Sequence, residues 1–370
     1  MPSKFDLASV ETAFAQASID PTRWDAAMEI AAASTEAAGA ALFCMNGNLP
    51  GAPHSASLER TFETYVNDGW INHDERHRLM PIVTRRGVAT ELDMFTPDAI
   101  SKLPYYQDFL APHGLRWFAG VKIAAGGFSW VLSLQRSIAQ GPFSPEQVRL
   151  LADVSMRLGA SAAISRMLGF ARIEAALDAF EVSRTPAIVF DAYGNVLRLN
   201  LSAETLLGGD LGVSGKRLVS YNRDATRAFE FALREVMWIA SPAASVPPIA
   251  LPRRGRRPLL AYLLRLKSVT YNPLAPGQAV ATIIDPEAHY EPEMAALNEC
   301  FGLTPAESRL AQKLSIGQSL DTFALDRGIS YETARNQLKA LFAKTQTHRQ
   351  PELMALLAML RQAPRTVIGA

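Results

Sequence analysis

Cysteine is scarce. The 370 residues hold two, Cys44 and Cys300, far apart in the chain. No CxxC and no Cys/His cluster occurs, which argues against a disulfide framework and a structural zinc site, and the thiols read as reduced, in a cytoplasmic protein. Excess charge is also missing: Lys+Arg 37 against Asp+Glu 36 leaves +1, so any basic surface must be local. No apolar run approaches the roughly 20 residues of a membrane span, and the densest, Leu353 to Leu360, is far too short. The first residues lead into an amphipathic helix and not an apolar signal core. There is no P-loop, GxSxG or HExxH, so catalysis is not expected. His54, His73, His77 and His113 show no metal spacing beyond His73-x3-His77, and Glu75, Arg76 and Arg78 around that pair read as an exposed polar turn. No metal and no cofactor is therefore expected. Gly and Pro, 23 each, are too few for a collagenous or low-complexity chain.

What is present is ordinary globular sequence, 48% hydrophobic and 20% charged, enough for two or three domains of roughly 100–200 residues. The fold class expected is multidomain α+β. In residues 1–142, Val10, Phe14 and Ala17 share a helical face. Ala40 to Met45 is a buried strand ended by Asn46-Gly47-Asn48. Trp117 to Ala125, a Gly126-Gly127 turn and Phe128 to Gln135 form an antiparallel hairpin in an α/β/α sandwich. In residues 143–181, Ser144-Pro145-Glu146-Gln147 starts a helix of some 35 residues, about 50 Å long, with Val148, Leu151, Val154, Met156, Leu158, Met167, Phe170, Ile173 and Leu177 as its apolar positions. That length suits a connector or a dimer seam.

Residues 182–286 read as strands and helices in alternation: Ala187 to Phe190, a turn at Asp191-Ala192-Tyr193-Gly194, a return strand to Asn200, and a short helix from Ser202 to Leu207. An amphipathic helix from Arg223 to Ile239 and strands Val246 to Leu251, Pro258 to Lys267 and Gln278 to Ile284 follow. Arg253, Arg254, Arg256 and Arg257 sit on one hairpin, expected as a solvated tip, with phosphate contact as the alternative. Asp285 to Glu293 reads as a polar linker.

Residues 296–363 are all helix. Thr304-Pro305-Ala306-Glu307 is a capping box with proline at N1. Gly317 stops that helix, Ser319 caps a second, Gly328 ends it and Ser330 caps a third, from Tyr331 to about Thr345. The third helix buries Ala334, Leu338, Leu341 and Phe342 and shows Glu332, Thr333, Arg335, Asn336, Lys339 and Lys344 on its other face. A short helix, a brief turn and a longer polar-faced helix make a helix-turn-helix, whose second helix suits the major groove. Nine basic residues stand against six acids from Ala296 onward. Leu353, Leu356, Leu357 and Leu360 in the last helix leave an apolar stripe for a homodimer.

Three resemblances follow. Leu303 to Leu360 resembles the LuxR-type DNA-binding domain of bacterial transcription regulators. The match rests on Leu303-Thr304-Pro305, Glu307, Gly317, Ala324, Gly328-Ile329-Ser330, Thr333-Ala334-Arg335, Leu338, Phe342, Lys344, Arg349, Glu352 and Leu353. It departs at Phe323 and Thr345, where the family has Ile and Leu. The resemblance implies double-stranded DNA as partner, with Ser330, Thr333, Arg335, Asn336, Lys339 and Lys344 as its contacts and the fourth helix as a dimer contact.

Thr185 to about Pro286 resembles a PAS domain. It has no Asn-Cys-Arg flavin motif and no histidine to hold haem, so a relay without cofactor is expected. Residues 1 to about 165 resemble a GAF-type or autoinducer-binding sensor domain. Tyr65, Trp70, Asp74, Tyr105, Trp117 and Trp130 are the candidate walls of a site for a small organic ligand. Their order, and the absence of Pro after Asp74, argue against an acyl-homoserine lactone. No phosphoacceptor pattern is seen. The function expected is a ligand-controlled transcription regulator without membrane association. A ligand-binding protein that sequesters a partner without touching DNA is the alternative.

Overall fold

The computed structural model describes residues 5–45, 52–238, 246–265, 272–288 and 291–360. The Asn46-Gly47-Asn48 turn, Ile239, Lys267, Arg361 and Arg365 lie outside them.

The first sheet is built from β1 (Gly39–Cys44), β2 (Val88–Thr90), β3 (Leu115–Ala125) and β4 (Phe128–Ser137), in the order β1-β4-β3-β2, all antiparallel. The tight turn between β3 and β4 needs left-handed backbone, which Gly126 (φ 56°) and Gly127 (φ 80°) supply without a Cβ penalty. One face of the sheet is covered by α1 (Leu7–Ile19), α2 (Trp24–Ser34) and the long α6 (Pro145–Val182). On that side Val10, Phe14, Trp24 and Met28 pack with Val121, Ile123, Trp130, Leu132, Leu151 and Leu158. Across the other face run α3 (Glu59–Asn67), α4 (Met80–Arg86), α5 (Pro97–Ile100) and single helical turns, including a π-helical turn at Tyr105–Leu110. The result is the α/β/α sandwich that the alternating strands suggest.

The capping box of α6 forms as its sequence dictates: Ser144 Oγ accepts from the Gln147 backbone, and the Gln147 side chain accepts from the Ser144 N–H. Two expected core positions are turned outward. Met156 is 77% and Met167 72% exposed. Val154 and Leu158, four apart, take the inward positions, and a residue midway between them must point away.

The second sheet runs β6-β5-β11-β10-β9, again antiparallel: β5 (Ala187–Phe190), β6 (Val196–Leu199), β9 (Ile249–Arg253), β10 (Arg256–Arg265) and β11 (Ala279–Ile284). A small hairpin of β7 (Leu211–Ser214) and β8 (Arg217–Ser220) stands apart. The helix expected over 202–207 is α7, Leu201–Glu204. One face of the sheet buries Phe190, Leu251, Leu263 and Ile283 against α8 (Arg223–Trp238). The other meets the end of α6 through Ile173, Leu177, Val189 and Val280.

The segment leading into β11 docks on the first unit. Leu274 is fully buried in the first core, the Trp130 indole N–H donates to the Pro273 carbonyl (2.9 Å), and Ser165 and Asn272 exchange hydrogen bonds. Gly169 permits the approach: a Cβ there would lie 2.6 Å from Pro276 Cδ.

Of the hairpin arginines Arg254, Arg256 and Arg257 are exposed, as a solvated tip requires, and only Arg253 turns inward. Arg253 is buried and forks onto Asp285 (2.6 and 2.8 Å), Arg256 meets Glu287 (2.9 Å), and Arg254 lies over Tyr221 near Asp210. Asp285 and Glu287 come from the stretch read as a polar linker, which is thus pinned to the sheet. Its far end is held by Lys313 on Glu291.

The last unit packs α9 (Met294–Phe301), α10 (Pro305–Ser315), α11 (Leu320–Arg327), α12 (Tyr331–Thr345) and α13 (Gln350–Leu360) around Leu297, Leu310, Leu314, Phe323, Leu341, Leu353 and Leu357. Among the described residues no helix is long and apolar enough to cross a membrane.

Candidate functional site

Most of the residues that the sequence nominates gather in two places. The first is a cavity of about 130 Å³ on the outer face of the first sheet, opposite α6. β1 contributes Phe43 and Cys44, α3 contributes Phe62 and Tyr65, and the π-helical turn contributes Tyr105 and Phe109. Bulky rings reach one place because β1 turns Phe43 to this face, α3 turns Phe62 and Tyr65 inward three apart, and the π-turn turns Tyr105 and Phe109 inward four apart.

The polar end is made by the turn after Trp70–Asn72. Asp74 caps the following helical turn, its Oδ1 accepting from the Arg76 backbone N–H (2.8 Å). Its Oδ2 accepts from the Tyr65 hydroxyl (3.0 Å), and the Tyr105 phenol faces the same carboxylate. Burial first, and then the negative charge of Asp74, raise both phenols well above the ordinary tyrosine range, so both stay protonated.

Arg76 corrects the expectation of an exposed polar turn. In the tight turn Glu75–Leu79, residues three apart share a side, so Arg76 goes inward with Leu79. Its guanidinium is 4% exposed and donates to Glu91 Oε1 (3.0 and 3.2 Å), Gln135 Oε1 (2.9 Å) and the Arg116 carbonyl (3.3 Å). Glu91 Oε2 accepts from the Phe118 backbone N–H (2.8 Å). Burial pushes the Glu91 carboxyl up to about 7 against the pull of the guanidinium. The rings of Tyr105, Tyr106 and Phe118 lie around Arg76.

Of the residues the sequence nominates, Tyr65, Asp74 and Tyr105 line the cavity together. Trp70 lies behind it, stacked on Phe109 at 5.5 Å, and Trp117 packs in the same cluster without reaching the wall. Trp130 points to the opposite face of the sheet, its N–H spent on Pro273. Sequence reasoning misses Arg76, Glu91 and Gln135, for which no spacing gives a signal, because their meeting depends on the pairing of distant strands.

One wall of the cavity touches the second unit. Cys44 Sγ lies 3.1 Å from the Tyr193 hydroxyl, on the turn after β5. Arg166 of α6 is buried beside both, stacked on Phe128, and burial lowers its basicity.

The second place is the outer face of α12. Ser330 caps the helix, accepting from the Thr333 N–H, and Gly328 (φ 62°) closes α11 three residues before α12 begins. Thr333, Arg335, Asn336 and Lys339 are all exposed on it, with Arg335 3.6 Å from Glu332. Lys344 is drawn back: it donates to Glu307 (2.7 Å) and the Gly302 carbonyl (3.0 Å), tying α12 to the start of α10, and Glu307 is held below the usual carboxylate range by that bond and the Thr304 N–H despite its partial burial. The two positions that depart from the resemblance, Phe323 and Thr345, both lie in the core. Phe323 is buried, and Thr345 satisfies its hydroxyl on the Leu341 carbonyl (2.7 Å). Leu353 and Leu357 are fully buried inside the unit, so the apolar stripe expected on α13 is largely used internally.

No protein-family model matches the chain, and no curated protein matches it. Among solved structures it is similar to the phage VqmA–DPO complex, with 15% identity, covering 54% of this chain and 93% of that one, at a TM-score of 0.21. It is also similar to the Escherichia coli DhaR(N)–DhaL complex, with 11% identity, covering 75% and 86%, at a TM-score of 0.23. At that identity and overlap the likeness decides neither ligand nor partner.

Proposed function

We propose that the chain is a non-catalytic, ligand-controlled transcription regulator that binds duplex DNA through α12 as a homodimer, with a GAF- or autoinducer-type sensor first, a PAS-like relay second and a LuxR-type DNA-binding unit last. The observation that carries this reading is the face of α12. It holds Thr333, Arg335, Asn336 and Lys339 in the open, on a helix whose other side is locked by Ala334 and Leu341, in a helix-turn-helix with a three-residue turn.

The cavity is the place for the ligand, and the Cys44–Tyr193 contact and the docked 272–278 segment are the route by which its occupancy would bias the units beyond it. A second copy would cover the exposed apolar face of α6, where Met156, Ile164, Met167 and Leu168 are left in water.

The test is duplex binding by the full chain and by Arg335→Ala and Lys339→Ala over a salt series. Arg335 stands in the first turns of the helix, and its planar fork suits a guanine edge, so its loss should cost about 1–3 kcal/mol on a preferred sequence and flatten discrimination at one position. Lys339→Ala should weaken all sequences alike and reduce the salt slope by about 1. No salt-dependent retention of the wild type on any duplex would favour the partner-sequestering reading instead.

A further inference from the structure

We infer that the cavity of the first unit takes a small organic cation, a protonated amine on a compact apolar body, with its charge against Asp74. This rests on reading the cavity as a ligand site and adds the chemistry of the guest. Size comes first. A void of about 130 Å³ is close to the roughly 150 Å³ that accommodates benzene, so a guest of about six to ten heavy atoms fits and a long acyl chain does not.

Charge decides the rest. The wall holds one guanidinium, Arg76, and one carboxylate, Asp74, with Glu91 behind Arg76. Four of the five N–H groups of Arg76 are engaged by Glu91, Gln135 and the Arg116 carbonyl, so at most one, on Nη1, is left for a guest anion. Asp74 has about four acceptor positions on its two oxygens, and the Arg76 N–H and the Tyr65 hydroxyl take two, with the Tyr105 phenol facing a third. Since the Tyr65 hydroxyl gives its proton to Asp74, it presents a lone pair, and not a donor, to anything else. The polar end of the void is thus rich in acceptors. Around it stand the rings of Phe43, Phe62, Tyr65 and Phe109, whose faces attract positive charge as well as apolar surface. The exposed His77 and the thiol of Cys44 are the further titratable groups lining the void.

The experiment is calorimetric titration of the full chain at neutral pH with benzylamine, benzyl alcohol, benzoate and toluene, repeated on Asp74→Asn. Benzylamine should bind about tenfold or more tightly than benzyl alcohol, and benzoate least of all. Asp74→Asn should remove the preference for the amine and leave toluene binding unchanged, which also shows that the variant is folded. The inference is overturned if benzyl alcohol or benzoate binds as tightly as benzylamine, or if Asp74→Asn leaves benzylamine affinity intact. Toluene binding in that case keeps the cavity as a ligand site and discards only the cation. If none of the four binds, both readings fall.

Discussion

Removing Glu91 should cost the first unit more than any other single change near the cavity. Glu91 is 1% exposed and holds both the Arg76 guanidinium and the Phe118 backbone N–H. Glu91→Leu leaves a buried cation with Gln135, one carbonyl and three ring faces, and orphans a backbone donor. Breaking a buried pair from one side costs about 3–5 kcal/mol. Glu91→Gln keeps one acceptor oxygen for the Arg76 guanidinium but sets its amide NH2 against the Phe118 N–H, so it should cost about 1–3 kcal/mol. Replacing both partners, Arg76→Leu with Glu91→Leu, removes the stranded cation and should recover most of the loss. Urea unfolding followed by tryptophan fluorescence reads this unit, because Trp24, Trp70, Trp117 and Trp130 all lie in it and only Trp238 outside. At a slope of about 2 kcal/mol/M, Glu91→Leu should move the midpoint down by about 1.5–2.5 M. Because the folded carboxyl is raised to about 7, the folded state keeps a proton that the unfolded chain releases from about 4.5 upward. Stability should therefore fall as pH rises through that window, and the fall should vanish in Glu91→Gln. A cost below about 1 kcal/mol for Glu91→Leu, or a double variant no better than the single, would refute the reasoning.

Gly169→Ala should destabilise the chain although alanine is the better helix former by about 1 kcal/mol, because its Cβ would sit 2.6 Å from Pro276 Cδ; a raised melting temperature would contradict the docking of that segment. Tyr193→Phe removes the hydroxyl facing Cys44 and should leave ligand affinity and basal DNA affinity nearly unchanged while weakening the effect of one on the other, measured as the ratio of duplex affinities with and without ligand.

The last unit was the most legible in sequence. Capping residues at Ser330 and Thr304, Gly328 and the spacing Ala334, Leu338, Leu341 fix helices locally, so the chain shows them without any tertiary knowledge. The β3–β4 hairpin and α6 were legible for the same reason: the signals at Gly126-Gly127 and Ser144 to Gln147 are local. The cavity was half legible. Tyr65, Asp74 and Tyr105 stood out as an aromatic stretch with a carboxylate, but three tryptophans of equal promise are core or second-layer residues, since ring type does not tell which face of a sheet a residue takes. Arg76 and Arg253 were misjudged because a charged residue reads as exposed until its partner is known, and their partners Glu91 and Asp285 lie 15 and 32 residues away. The docking of Leu274 on the first core depends on contacts no sequence period encodes.

Enrichment from a pool of random duplexes by the full chain tests the central claim most directly. If α12 reads DNA in a two-fold dimer, the bound pool should converge on one sequence with dyad symmetry and half-sites about 10 bp apart, and affinity for it should fall steeply with salt. A pool that stays random, with no retention even at low salt, would contradict the account.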